Sequence, residues 1–189
     1  DAARRIQAGE AFDGVVLASD AIDGLIAAGH VLPGSRVDLV QSSVAVAVKA
    51  GEPLPDISTE DALRSAIVAA PTIGYSTGPS GVALVALFKK WGLLDELQAR
   101  IVQAPPGVPV GTLVARGEVA LGFQQLSELM GLDGIAVVGT LPESIAITTV
   151  FSAGVCAVSN QPQELGRFLS FLASREVAAT KLQYGMQAP

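Results

Sequence analysis

Short apolar runs of four to eight residues, each closed by glycine, proline or a cluster of polar residues, alternate along this chain with stretches whose apolar positions recur every three to four residues. The first pattern predicts buried strands and the second amphipathic helices. Asp1-Ala-Ala-Arg-Arg-Ile-Gln-Ala-Gly9 reads as the tail of a helix. Gly14-Val-Val-Leu-Ala18 predicts a strand that runs into Ser19-Asp20, a helix cap, and a helix over Ala21 to Ala28. That helix stops at Gly29, His30 and the turn Pro33-Gly34, after which Val37 to Val48 predicts a long valine-rich strand with Gln41-Ser42-Ser43 in its middle.

Pro53 and Pro55 mark a loop, and Ser58-Thr-Glu-Asp61 is the hydroxyl-then-acid pattern that opens a helix, here over Ala62 to Val68. Pro71 to Tyr75 predicts a strand leading through Ser76-Thr-Gly-Pro-Ser-Gly81 into a helix from Pro79 to Trp91, closed by Gly92. The alternation continues with a helix over Asp95 to Gln98, a strand over Arg100 to Gln103, a helix over Pro109 to Arg116 and a strand over Val119 to Phe123. A helix over Ser127 to Met130 and a strand over Ile135 to Gly139 follow. Such alternation implies parallel βαβ units. Ala146 to Val158 is a second long run, and Gln161 to Ser174 and Glu176 to Tyr184 predict two closing helices.

Two long runs therefore bracket a compact βα block. The pattern fits a chain that leaves one lobe, builds a second and returns, with the two crossings as a hinge. The expected fold is α/β and two-lobed, with mixed sheets flanked by helices: residues 1–43 and 153–189 form the first lobe and 44–152 the second. The 189 residues suffice for two small lobes. Half of them are hydrophobic and only 16% charged, which supplies a core and excludes disorder. Mean hydropathy is high at +0.48, yet runs such as Val82 to Phe88 fall far short of the roughly 20 residues that span a bilayer.

A net charge of −6 excludes a nucleic-acid partner, which needs a basic face. It also means that an anionic ligand must be held by local dipoles and hydrogen bonds. Gly74-Tyr-Ser-Thr-Gly-Pro-Ser-Gly81 is the strongest candidate, because a helix start offers amide N–H groups and a partial positive charge. Ser76, Thr77 and Ser80 add hydroxyls, while Gly78 and Gly81 admit close approach. An ordinary helix cap with no ligand fits the same residues. The later helix start near Gly107-Val-Pro-Val-Gly111 contributes Val108. Gln124 and Gln125 stand at the end of a predicted parallel strand, where open α/β sheets bind ligands. Ser19, at the first helix cap, is the candidate contact from the other lobe.

For catalysis the inventory is poor. Gly78-Pro-Ser-Gly81 lacks the spacing of a nucleophile elbow, and the single histidine, His30, follows a different helix. Cys156 is a lone thiol with no Cys or His beside it, so neither a disulfide nor a metal site is expected. Glu60, Asp61, Asp95 and Glu96 sit at helix starts, where acids complement the dipole. No cofactor is implied, and the expectation is that the chain is not an enzyme.

The order Phe12-Asp-Gly-Val-Val-Leu-Ala-Ser-Asp20, Ile73-Gly-Tyr-Ser-Thr-Gly-Pro-Ser-Gly-Val82, Trp91-Gly-Leu-Leu94, Val114-Ala-Arg-Gly-Glu-Val-Ala-Leu-Gly-Phe-Gln-Gln125 and Arg167-Phe-Leu-Ser-Phe-Leu-Ala-Ser174, with Tyr184-Gly185, resembles the periplasmic molybdate-binding proteins of ABC transporters. The resemblance implies a type 2 periplasmic binding protein that captures a small anion between its lobes and delivers it, as a monomer outside the cytoplasm, to a membrane permease. It implies ligand contacts at Pro79-Ser80-Gly81, in the loop before Val110, and at Gln125, which stands where those binders place a tyrosine. The ligand class thus stays open between a metal-oxo anion and a small carboxylate. The first-lobe serine loops of the family are absent from this sequence, so roughly 30 to 50 residues, the scale of a βαβ unit, are expected ahead of Asp1. Two alternatives remain: an enzyme such as an isomerase of small organic acids on the same scaffold, or the cytoplasmic effector-binding domain of a transcription regulator.

Overall fold

The computed structural model describes residues 2 to 189. In chain order the elements are α1 (Ala2–Gln7), β1 (Gly14–Ala18), α2 (Ser19–Ala27), β2 (Val37–Lys49), α3 (Glu60–Ala69), β3 (Ile73–Tyr75), α4 (Pro79–Lys90), α5 (Leu94–Leu97) and β4 (Ile101–Gln103). They continue with α6 (Val110–Ala115), β5 (Leu121–Gln125), α7 (Leu126–Leu129), β6 (Ile135–Thr140), β7 (Thr148–Val155), α8 (Pro162–Ala173) and α9 (Ala178–Gln183). The chain divides into two compact units, residues 1–41 with 149–189 and residues 42–148. It passes from one to the other within β2 and returns at the start of β7.

In the first unit β1 pairs antiparallel with β7, Gly14 opposite Val155 and Ala18 opposite Phe151. One side is sealed by Ile6, Leu25, Val31 and Cys156, the other by Leu39, Ala153, Val155 and Leu169. Ser152 is fully buried and donates to the Asp38 carboxylate at 2.6 Å, while Arg36 pairs with both Asp38 and Asp23. Those two bonds hold the Asp38 carboxyl below its ordinary range, Arg36 being the larger cause. Polar residues on the long runs are thus tied to each other rather than left to the interior.

In the second unit β3 lies between β4 and β5 and is parallel to both, while β2 pairs antiparallel with β5 and β6. The alternating pattern holds for β3, β4 and β5, and the antiparallel neighbours β2 and β6 make the sheet mixed. The core on one face gathers Val44, Val46, Leu63, Ile67, Ile73, Leu84, Phe88 and Phe123, and the other face packs Ala45 and Ala47 on Leu129 and α6 through Val110 and Val114. α3 opens as read, with the Thr59 hydroxyl accepting from the Ala62 amide at 3.1 Å. Glu60 there accepts from the Trp91 indole at 2.6 Å and pins α4 to α3, so this acid has a packing role.

Candidate functional site

The parallel register sets Tyr75 opposite Gln103 on one side and Phe123 on the other, so β3, β4 and β5 end at one edge. The chain leaves that edge into the starts of α4, α6 and α7. This is the carboxyl edge at which α/β sheets bind ligands.

At α4 the extended Gly78 precedes Pro79 in the first helical turn. The amides of Gly81 and Val82 donate to the Gly78 carbonyl at 3.0 and 3.2 Å, so the helix closes its first turn on Gly78 and the Ser80 amide stays outside the ladder. Ser76 and Ser80 share a hydrogen bond at 3.1 Å, and Ser80 is buried while Thr77 is exposed. Gly81 is dictated by contact: a Cβ there would stand 1.8 Å from the Ser76 carbonyl oxygen and 2.8 Å from the Tyr75 ring. The loop lies flat on the helix, which brings Ser76 to Ser80.

α6 is set down by a different device. Gly74 and Gly122 are cross-strand partners, and the missing side chains leave room for Val110, Val114 and Val119. A Cβ at Gly74 would meet Val119 at 2.7 Å and one at Gly122 would meet Val114 at 2.5 Å. The helix therefore rests on bare backbone. Its first amide, Val110 N, donates to Gln124 Oε1 at 2.8 Å in the interior. This buried bond gives Gln124 a positioning role at the α6 start. Gln125 is buried at the end of β5, and Val108 is half-buried in the loop ahead of α6.

Of the residues singled out from sequence, Ser76, Thr77, Gly78, Ser80 and Gly81 form one cluster, and Val108, Gln124 and Gln125 gather around the start of α6 and the end of β5 on the same unit. Ser19 is the first residue of α2 and belongs to the other unit. His30 follows α2, half-buried, and Cys156 is buried beside the end of β7, where burial pushes its thiol up. Sequence reasoning missed Gly74 and Gly122 as determinants of α6; the available signal was glycine inside two strands.

The family model described as "Bacterial extracellular solute-binding protein" matches residues 1–187. The chain belongs to that family. A curated relative, aconitate isomerase from Pseudomonas sp., is 40% identical over 174 residues, 92% of this chain and 66% of its own length. The chain thus spans just under two thirds of that relative. Among solved structures, the Azotobacter vinelandii periplasmic molybdate-binding protein superposes with a TM-score of 0.79 at 22% identity, over 100% of this chain and 83% of the other. A substrate-binding domain assigned to a molybdenum ABC transporter of Clostridium difficile gives 0.75 at 18%, over 100% and 82%. The fold of this family member is that of the type 2 periplasmic binding proteins, as the resemblance implied.

One expectation is overturned. The sequence reading placed the chain outside the enzymes, and a relative of 40% identity is an enzyme. That reading rested on the lack of nucleophile, metal and nucleotide motifs and of a titrating base beyond His30 and the helix-cap carboxylates; a proton shift between carbons requires none of those motifs, and a single carboxylate can serve as its base.

Proposed function

We propose that this solute-binding family member acts as an isomerase of a small unsaturated polycarboxylate of the aconitate class. The observation that carries the reading is the 40% identity to an aconitate isomerase across 92% of the chain. The structural likenesses, at 22% identity and below, speak to fold alone.

The start of α4 suits such a substrate. Its amides and hydroxyls hold a carboxylate by hydrogen bonds and by the helix dipole, as a chain of net charge −6 requires. Interconverting the cis and trans forms needs the carbon–carbon double bond to lose its order. A general base, which the α4 donor set does not supply, takes a proton from the CH2 group and leaves an allylic anion delocalised onto the carboxylate oxygens. Returning a proton at the far carbon moves the double bond and resets its geometry. Donors fixed at those oxygens stabilise the anion as it forms. The cluster at α4 is a donor set, so its part is to hold and stabilise the carboxylate.

A second reading follows from the family match over residues 1–187: capture of a small anion outside the cytoplasm and delivery to a membrane ABC transporter. One experiment separates the two. The purified chain is mixed with cis-aconitate in deuterium oxide and followed by proton NMR. Appearance of trans-aconitate carrying solvent deuterium supports the isomerase. Saturable binding without conversion leaves only the capture reading, and no binding of either isomer removes aconitate from both.

A further inference from the structure

At the opposite edge of the second unit's parallel sheet, ahead of β3 and β5, lies a cavity of about 410 Å³ that no part of the proposed reaction uses. Its volume falls within the range of small-molecule sites, about 300 to 1,000 Å³. The walls are aliphatic: Val48 from β2, Ala66 and Ala69 from α3, Val119 from the approach to β5 and Leu121 at its first position. Pro53, Pro55 and Pro71 line it as well and contribute no amide donor.

Two charges stand at the rim. Lys49 and Glu52 both line the cavity, at either end of the turn in which the Glu52 amide donates to the Lys49 carbonyl at 3.1 Å. Among the described residues neither forms an ion pair, with the other or with a third group. The Lys49 ammonium leans instead toward Gly117, another lining residue, 3.7 Å from where a Cβ would stand there. An aliphatic chamber bordered by one cation and one anion is complementary to a molecule with an aliphatic body and both charges at one end.

We propose that this cavity binds the zwitterion of an aliphatic amino acid, its carboxylate on Lys49, its ammonium on Glu52 and its side chain against Ala66, Ala69 and Leu121. The site is independent of the α4 cluster and of the reaction proposed there. A simple carboxylate would meet Glu52, and a simple amine would meet Lys49, so the pair of charges selects the zwitterion.

The test is a ligand-observed NMR titration of the intact chain with L-leucine, 4-methylpentanoate and isopentylamine. L-Leucine is expected to saturate, with each singly charged analogue at least tenfold weaker. Lys49→Met is expected to weaken leucine about tenfold while leaving or improving isopentylamine, and Glu52→Gln to do the same with 4-methylpentanoate in place of the amine. Ala69→Trp, at an exposed position on the wall, is expected to abolish binding with the circular dichroism spectrum unchanged. Absence of saturable leucine binding overturns the proposal, and so does equal binding of all three probes or indifference to both rim substitutions. Activity on cis-aconitate is expected to persist in all three variants, so failure here leaves the reading of the α4 site standing.

Discussion

Replacing Gly81 by alanine puts the loop geometry under direct test. The added Cβ would lie 1.8 Å from the Ser76 carbonyl oxygen, where ordinary contact begins at 3.4 Å, so the loop must retreat by about 1.6 Å. The obstacle is backbone, which no rotamer change relieves, and the Tyr75 ring at 2.8 Å blocks the neighbouring direction. Overpacking of this kind costs about 1 to 3 kcal/mol, and a backbone obstacle belongs at the upper end. Gly78→Ala is the control. Its backbone is extended, and the nearest atom to its Cβ is the Ser76 hydroxyl at 3.6 Å, so only the N-cap preference for glycine over alanine is lost, about 0.5 to 1 kcal/mol. Urea unfolding followed by fluorescence reports on this unit, because Trp91, the one tryptophan, stacks on Phe88 at the end of α4. The midpoint for Gly81→Ala should fall by roughly 1 M or more relative to Gly78→Ala, given a slope of about 1 to 3 kcal/mol/M. Two unfolding free energies that agree within about 0.5 kcal/mol, the scatter of neutral substitutions, would show that the loop does not lie against the helix as described.

Other outcomes follow from the same structure. Gln124→Leu leaves the buried Val110 amide without its acceptor and should cost about 1 to 3 kcal/mol in the same unfolding assay; a loss no larger than that of an exposed substitution would refute the positioning role. Ser80→Ala should weaken trans-aconitate binding by about 1 to 1.5 kcal/mol in a calorimetric titration with little change in stability, and an unchanged titration removes its hydroxyl from the ligand. Asp38 has its carboxyl held low in the folded state, so its contribution is present above the ordinary carboxylate range and is lost as pH falls through the folded value. Asp38→Asn should therefore be less stable than the parent near neutral pH, with the gap closing on acidification, as read by thermal unfolding between pH 7 and 2.5. The pair is largely solvent-exposed, which keeps the gap small.

The elements were legible where pattern alone decides them. β1 was read to the residue over Gly14 to Ala18, and α4 to within one residue of its end, because apolar runs with a cap at one side and glycine at the other leave little choice. β5 was read two residues early, over Val119 to Phe123 where the strand is Leu121–Gln125, since Gln124 and Gln125 look like loop residues, although the buried Val110 amide gives Gln124 a reason to lie inside. Strand direction was half legible. Alternation with helices signals the parallel β3, β4 and β5, but nothing local announces that β2 runs against β5 and β6, because antiparallel pairing there joins residues 75 to 95 positions apart. The role of Gly74 and Gly122 was only hinted at by glycine inside two strands, because which helix comes close is a property of the partners.

The error over catalysis has a related cause, and it is instructive about what motifs measure. A nucleophile elbow, a zinc cluster or a phosphate loop leaves a spacing in the sequence because several groups must converge on one reacting atom within a short stretch of chain. A substrate that carries its own activating carboxylates makes no such demand. Its carboxylates take up the charge of the carbanion, and the protein has to hold them, fix the donors that receive the delocalised charge and set one base at the carbon, which a single side chain does without a spacing motif. Hydroxyls and amides at a helix start do this as well as they bind an anion, and the Ser76 to Gly81 segment offers them without any catalytic signature. Capturing an anion and holding a carboxylate for reaction therefore ask the same of a local sequence. Identity to a whole relative separates them in a way that a scan of spacings cannot, and a donor cluster at a sheet's carboxyl edge is as compatible with turnover as with capture.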